Sequence, residues 1–143
     1  MGAMATRSTS ADLIARVPLF AACSKKELRS LASAAAERAV GAGNVVVRQG
    51  AAGNAFFVIL SGEADVIRNG RKVGHLVPGD FFGDLALIDK LPRSATVVAT
   101  TDTVLVVLGQ REFSDLLEES TTFARKLLVG LATRVRELDA RAD

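Results

Sequence analysis

The sequence has few residues of the kinds that build metal centres, disulfides and aromatic clusters. Its 143 residues include one cysteine (Cys23), one histidine (His75), no tryptophan and no tyrosine. A single cysteine cannot form an internal disulfide, which excludes a disulfide-stapled secreted scaffold and favours a reducing compartment. A single histidine excludes any site that needs two imidazoles, including most zinc hydrolases and the usual metal centre of cupin enzymes.

Neither charge nor hydropathy is one-sided. The 18 Lys and Arg residues against 16 Asp and Glu give a net charge of +2, too balanced to indicate a nucleic-acid or membrane-surface protein. No stretch approaches the roughly 18 consecutive apolar residues of a membrane span, and the N-terminus has no signal-peptide core. We therefore expect a cytoplasmic protein that binds neither nucleic acid nor membrane, with residues 1–8 disordered or vector-derived.

The hydrophobic pattern divides the remaining chain into three zones. Residues 11–40 show helical i, i+3, i+4 spacing, and Ser24 stands three residues before Glu27 as in a capping box. Residues 41–108 contain short β-branched runs bounded by Gly, Asn, Asp or Pro, which predict the strands of a β-roll. Residues 110–142 return to helical spacing with one apolar face.

These zones predict one fold class. Asn69-Gly70 between two β-branched runs predicts a tight hairpin, because both turn positions need a positive φ. A short internal helix is predicted from Asp84 to Lys90, after Gly83 and before Pro92. We expect residues 9–143 to form a single domain. It is mainly β with flanking helices: a double-stranded β-helix or jelly-roll with N-terminal helices, a short internal helix and a long C-terminal helix.

The segment from Phe81 to Ala95 combines residue types that suit an anionic ligand. Gly83 lets the backbone approach a ligand closely, and the guanidinium of Arg93 can face a phosphate. The carboxylate of Asp84 repels phosphate, but it accepts a hydrogen bond from a hydroxyl beside that phosphate. A cyclic sugar phosphate has both groups. The alternative is a surface loop with an ordinary helix cap and a solvated arginine.

This segment resembles the phosphate-binding cassette of the cyclic nucleotide-binding domain family. That cassette usually reads Phe-Gly-Glu-Leu-Ala-Leu, then a short variable stretch, then Pro-Arg-Ser/Thr/Ala-Ala. Phe82 to Leu87 and Pro92 to Ala95 match it with one departure, because Asp84 stands where the family prefers Glu. Further similarity lies in Arg48-Gln49-Gly50, in the run from Phe57 to Gly62, and in Leu76 to Asp80.

The resemblance implies a non-catalytic sensor of cyclic AMP, with cyclic GMP as the alternative ligand, and no cofactor or metal. By that resemblance, Gly83, Leu85 and Ala86 offer backbone groups to the cyclic phosphate. Arg93 pairs with its charge, and Ser94 adds a hydroxyl or N–H.

Three further ligand-binding residues follow from the same resemblance. Asp84 would accept a hydrogen bond from the ribose 2′-hydroxyl, although its side chain is one methylene shorter than glutamate. Val73 and Leu76 would form walls for the sugar and base, with plain core packing as their alternative. His75, between apolar neighbours in a predicted strand, is interpreted as a structural or rim residue.

Binding would be transmitted by helix movement to an effector domain or protein. The last helix would cover the base or pair with a second copy. Its apolar stripe suits a homodimer, with packing on the roll as the alternative. Three other interpretations stay open. They are a degenerate fold that serves as an interaction module without nucleotide, the sensor half of a transcription regulator of the catabolite activator type, and a cupin-like enzyme. Because no helix-turn-helix follows the last helix, DNA binding by this chain is not expected.

Overall fold

The computed structural model describes residues 10–87 and 91–142. The predictions for residues 1–8 and for the end of the internal helix, 88–90, lie outside these ranges. The described chain forms two compact units. One unit is Ala35–Gln110, and the other combines the residues up to Ala34 with those from Arg111 onward.

The first unit is a β-roll of two four-stranded sheets with antiparallel pairing. Their orders are β1-β8-β3-β6 and β2-β7-β4-β5. The strands are β1 (Ala36–Val40), β2 (Val45–Val47), β3 (Ala55–Ser61), β4 (Ala64–Arg68), β5 (Arg71–Leu76), β6 (Phe81–Phe82), β7 (Thr96–Ala99) and β8 (Thr103–Gly109). The predicted mainly-β class with flanking helices is confirmed.

The core of the roll lies between the two sheets. Its buried members come from five strands: Val40, Phe57, Ile59, Ala64, Val97, Ala99 and Leu105. The predicted Asn69-Gly70 hairpin joins β4 to β5, with φ of 53° and 77° at its two turn residues. This turn is held from outside, because the side chain of Gln49 exchanges two hydrogen bonds of 2.8 Å with Asn69.

The predicted N-terminal helical zone is wrong at its end. The helix stops at Ala34, and residues 36–40 form β1, which pairs in register with β8. Four of the five β1 residues are exposed, so the strand has little apolar pattern to reveal it. Its ladder with β8 is a long-range interaction that overrides the helical preference of Ala, Glu and Arg.

The second unit is helical. It contains α1, whose described part covers residues 10–14, a 3₁₀ helix (Pro18–Phe20), α2 (Lys25–Ala34), α3 (Gln110–Glu119) and α4 (Thr121–Ala142). The capping box is confirmed, since Glu27 N donates to Ser24 Oγ at 3.2 Å and Ser24 N donates to Glu27 Oε1 at 2.8 Å. Within the described ranges, no helix combines the length and apolarity needed to cross a membrane.

Aromatic packing and one glycine join the elements of the helical unit. Phe113 makes edge contacts with Phe20 and Phe123, at centroid distances of 6.3 and 6.2 Å. Gly130, in the middle of α4, lies against the backbone of the 3₁₀ helix. A Cβ at this position would overlap the carbonyl of Leu19 and lie 2.9 Å from Pro18 O. Glycine at this point allows α4 and the 3₁₀ helix to pack at backbone distance.

Gly130→Ala should therefore destabilise the protein, although alanine is the better helix former by about 1 kcal/mol. We expect the overlap with backbone to outweigh that gain and to lower the free energy of unfolding by about 1–3 kcal/mol. Urea unfolding measures the difference. The control is Gly74→Ala in β5, whose added Cβ would meet its nearest atom, Val66 Cβ, at 3.6 Å. Equal stability of the two variants would contradict the close packing of α4.

Candidate functional site

The cassette begins with a sharp backbone turn after β6. Phe82 of β6 stacks on Phe57 of β3, with ring centroids 4.8 Å apart and an interplanar angle of 15°. Gly83 follows with φ of +80°, a conformation that favours glycine. The chain then enters a 3₁₀ helix, Asp84–Leu87, in which Asp84 is only 3% exposed. This short helix contains the backbone of Leu85 and Ala86, and it is the described part of the predicted internal helix.

Arg93 returns to the same place from the far end of the cassette. Its backbone is clamped by the β2–β3 loop: Arg93 N donates to Ala51 O at 3.0 Å, and Gly50 N donates to Arg93 O at 2.8 Å. Its Nη2 donates to Ala55 O at 2.9 Å, and its Cζ lies 5.7 Å from the centroid of the Phe57 ring. Burial lowers the pKa of Arg93 below its ordinary value, but a guanidinium stays charged in proteins.

The structure brings Gly83 and Arg93 together. Nη1 of Arg93 lies 2.6 Å from the point where a Cβ on Gly83 would stand. Asp84, the next residue in the chain, is buried at the start of the 3₁₀ helix, so an arginine side chain and an acidic residue adjoin this glycine. Ser94 is exposed, and its carbonyl accepts a hydrogen bond of 3.2 Å from Arg68 Nε.

The two predicted wall residues lie in different surroundings on β5. Leu76 is partly buried and packs against the core of the roll. Val73 is 54% exposed and falls at an irregularity, where pairing passes from Val66↔Gly74 to Ile67↔Lys72. Leu76 therefore faces the interior of the roll, whereas Val73 is largely open to solvent.

A cavity of about 720 Å³ opens beside Arg93. Its volume lies within the usual range of ligand sites. Every charged residue in its described lining is an arginine; its polar and aromatic members are Arg38, Arg48, Arg93, Asn44, Asn54 and Phe57. Arg93 is the one residue of this group that sequence reasoning proposed for ligand binding. Arg48 belongs to a motif that matches the family but has no assigned role, and Arg38, predicted in the N-terminal helical zone, lies in strand β1.

A second polar cluster surrounds His75 on the sheet that contains β4 and β5. Its Nδ1 lies 2.7 Å from Asp65 Oδ1 and its Nε2 lies 2.6 Å from Glu63 Oε1. Lys72 Nζ lies 3.3 Å from the same Asp65 oxygen. Only the doubly protonated imidazolium can donate at both nitrogens. These hydrogen bonds, the one to Asp65 above all, raise the pKa of His75 above 6.5, and the bond to His75 lowers the pKa of Asp65.

This cluster is not a metal centre. Each imidazole nitrogen faces a different carboxylate, so the nitrogens and oxygens do not converge on one point. Among the residues that the structure describes, no group of three or more His, Cys, Asp or Glu side chains is arranged to hold a metal ion.

Comparison with known proteins identifies the family. The model of the family described as "Cyclic nucleotide-binding domain" matches residues 37–120, more than half of the chain. The chain belongs to the cyclic nucleotide-binding domain family. The matched segment contains the whole cassette, from Phe82 to Ala95, and extends from β1 to the end of α3. The family predicted from the cassette is confirmed.

One relative and two solved structures illustrate this cyclic nucleotide-binding domain. This chain is 38% identical over 113 residues to a cAMP-dependent protein kinase regulatory subunit of Yarrowia lipolytica. The matched segment covers 78% of this chain and 30% of that protein. The N-terminal domain of a transcriptional regulator from Streptomyces coelicolor superposes with a TM-score of 0.81 and 28% identity, over 91% of this chain and 94% of the other. A cyclic nucleotide-binding domain from Methylobacillus flagellatus superposes with a TM-score of 0.79 and 28% identity, over 98% of this chain and 84% of the other.

The His75 cluster makes the stability of the domain depend on pH. Because the pKa of His75 is raised in the folded state, its stabilising contribution is complete below pH 6.5 and is lost as pH rises through the folded pKa. We expect the thermal midpoint of the wild type to exceed that of His75→Gln most just below pH 6.5, where the imidazole is protonated and Asp65, whose pKa is lowered, is still ionised, with a difference that shrinks above pH 6.5. Thermal melts of the wild type and His75→Gln, recorded below and above pH 6.5, test this expectation. A constant difference would contradict the ion-paired imidazolium, since the chain has no other histidine.

Proposed function

We propose that this domain binds cyclic AMP at the cassette and acts as a non-catalytic sensor within a regulatory protein. The observation that supports this best is the convergence of Arg93 and Gly83 across the cassette, with Asp84 beside them. A cation beside the backbone of a glycine suits a phosphate, and a carboxylate on the next residue suits a hydroxyl. A cyclic ribose phosphate carries both groups at neighbouring positions.

The remaining contacts are assigned by the resemblance to the family's cassette. Gly83, Leu85 and Ala86 would contribute backbone groups to the cyclic phosphate, and Ser94 a hydroxyl or N–H. Leu76, which faces the interior of the roll, suits a wall for the ribose and base better than the exposed Val73 does. Both residues belong to the proposed site.

Cyclic AMP is favoured over cyclic GMP by the relatives. The Yarrowia lipolytica protein is by its name the regulatory subunit of a cAMP-dependent protein kinase. The exposed Ser94 provides a hydroxyl that suits a guanine amino group, which makes cyclic GMP the competing ligand. A competition titration of the two nucleotides ranks them.

Transmission of binding to an effector is also part of the proposal. The helix α4 exposes Leu128, Val129 and Val135, each more than half open to solvent. Leu128 and Val135 are seven residues apart and therefore share one face of the helix. An exposed apolar face supports pairing with a second copy of the chain or with an effector. Movement of the helices on ligand binding stays a prediction.

Arg93→Ala tests the phosphate contact. Removing one partner of a desolvated charge pair costs about 2–5 kcal/mol, so the affinity for cyclic AMP should fall by at least about thirtyfold. Isothermal titration calorimetry measures it. Arg71→Ala, which removes an exposed arginine from the start of β5, is the control and should bind as the wild type does. If folded wild-type protein releases no heat with millimolar cyclic AMP, the nucleotide-free interaction module becomes the better interpretation.

Asp84→Asn tests the ribose contact. A carboxylate that accepts from the 2′-hydroxyl should make the wild type prefer cyclic AMP to its 2′-deoxy analogue by about tenfold or more, the usual effect of one hydrogen bond to a charged group. The asparagine variant should lose most of this preference, because the ionised acceptor is gone. Titrating cyclic AMP and its 2′-deoxy analogue into the wild type and into Asp84→Asn measures the preference of each protein. An unchanged preference in the variant would remove Asp84 from the ribose site.

A further inference from the structure

Gly53 lies in the loop between β2 and β3, at a position where the structure leaves no room for a side chain. Glycines at turns usually have a positive φ, as Gly50 and Gly83 do at +82° and +80°, but Gly53 is not among the positive-φ residues. Its backbone conformation is therefore open to other amino acids. The atoms that surround the position of a Cβ on this residue explain the glycine instead.

The guanidinium of Arg93 fills the space beside Gly53. A Cβ at this position would overlap Nε and Cζ of Arg93 and would lie 2.6 Å from Nη2. On the other side, Nη1 stands 2.6 Å from the Cβ position of Gly83. The guanidinium thus occupies a slot between two glycines, closed by the carbonyl of Ala55 and the ring of Phe57.

We propose that Gly53 is a positioning residue for Arg93. By keeping the slot open, Gly53 holds the guanidinium beside Gly83 at the start of the cassette helix. Gly53 and Arg93 are 40 positions apart in the sequence. Any side chain at position 53 would push the guanidinium out of the slot and break its hydrogen bond to Ala55. The consequence for ligand affinity rests on the proposed function, whereas the placement of Arg93 does not.

The experiment is a double-mutant cycle in the full chain. Gly53→Ala is made in the wild type and in Arg93→Ala, with thermal midpoints measured without nucleotide. In the wild-type background the alanine should lower the midpoint. In the Arg93→Ala background the slot is empty, so the same alanine should leave the midpoint unchanged or raise it, since alanine restricts the unfolded chain. Ala52→Ser, at the exposed neighbouring position, is the control and should change neither background.

Two further measurements report on the position of the guanidinium and on ligand affinity. In a ¹H–¹⁵N spectrum, the Arg93 Nε–Hε signal, assigned by its loss in Arg93→Ala, should shift in Gly53→Ala as the group leaves Phe57. The dissociation constant for cyclic AMP should rise by about tenfold or more, as expected for a misplaced charge-assisted hydrogen bond.

Specific outcomes would overturn the inference. Equal destabilisation in both backgrounds would make Gly53 a structural residue that is independent of Arg93. An unshifted Nε–Hε signal would show that the slot tolerates a methyl group. If the wild type binds no cyclic AMP, the proposed function fails, while the midpoints and the spectrum still decide the role of Gly53.

Discussion

The placement of one arginine side chain constrains much of the β-roll. A half-buried guanidinium needs compensation for its lost hydration, because burying an unpaired charge is costly. Arg93 obtains it from the carbonyl of Ala55 and the face of Phe57. These partners lie on β3, so the cassette must fold back over that strand. The two backbone hydrogen bonds between Arg93 and residues 50–51 secure this return.

Local patterns were predictable where neighbouring residues decide the structure. The capping box of α2 and the Asn69-Gly70 hairpin are both formed as expected, since their hydrogen bonds and dihedral angles depend on residues within a few positions. The strand β1 was missed, because its conformation depends on pairing with β8, more than sixty residues away. Its composition alone suits a helix.

The candidate site shows the same division between local and long-range information. The cassette residues could be predicted because the motif keeps them in one continuous segment. The contact between Gly53 and Arg93 could not, since nothing near Gly53 in the sequence distinguishes a glycine needed for space from one needed for a turn. The partners of His75 were missed for a related reason. Asp65 becomes its neighbour only through the cross-strand register of β4 and β5.

The packed position of Arg93 also bears on how strongly the domain could hold an anion. A free arginine side chain loses considerable rotamer entropy when a ligand immobilises it. Here much of that entropy is lost on folding, because two glycines, a ring and a carbonyl already define the slot. A guanidinium has five N–H donors, and its described bond to Ala55 uses one. Such a preorganised cation would let more of the interaction with a phosphate appear as affinity, and this is how one positioned arginine would serve the singly charged cyclic phosphate of the proposed function.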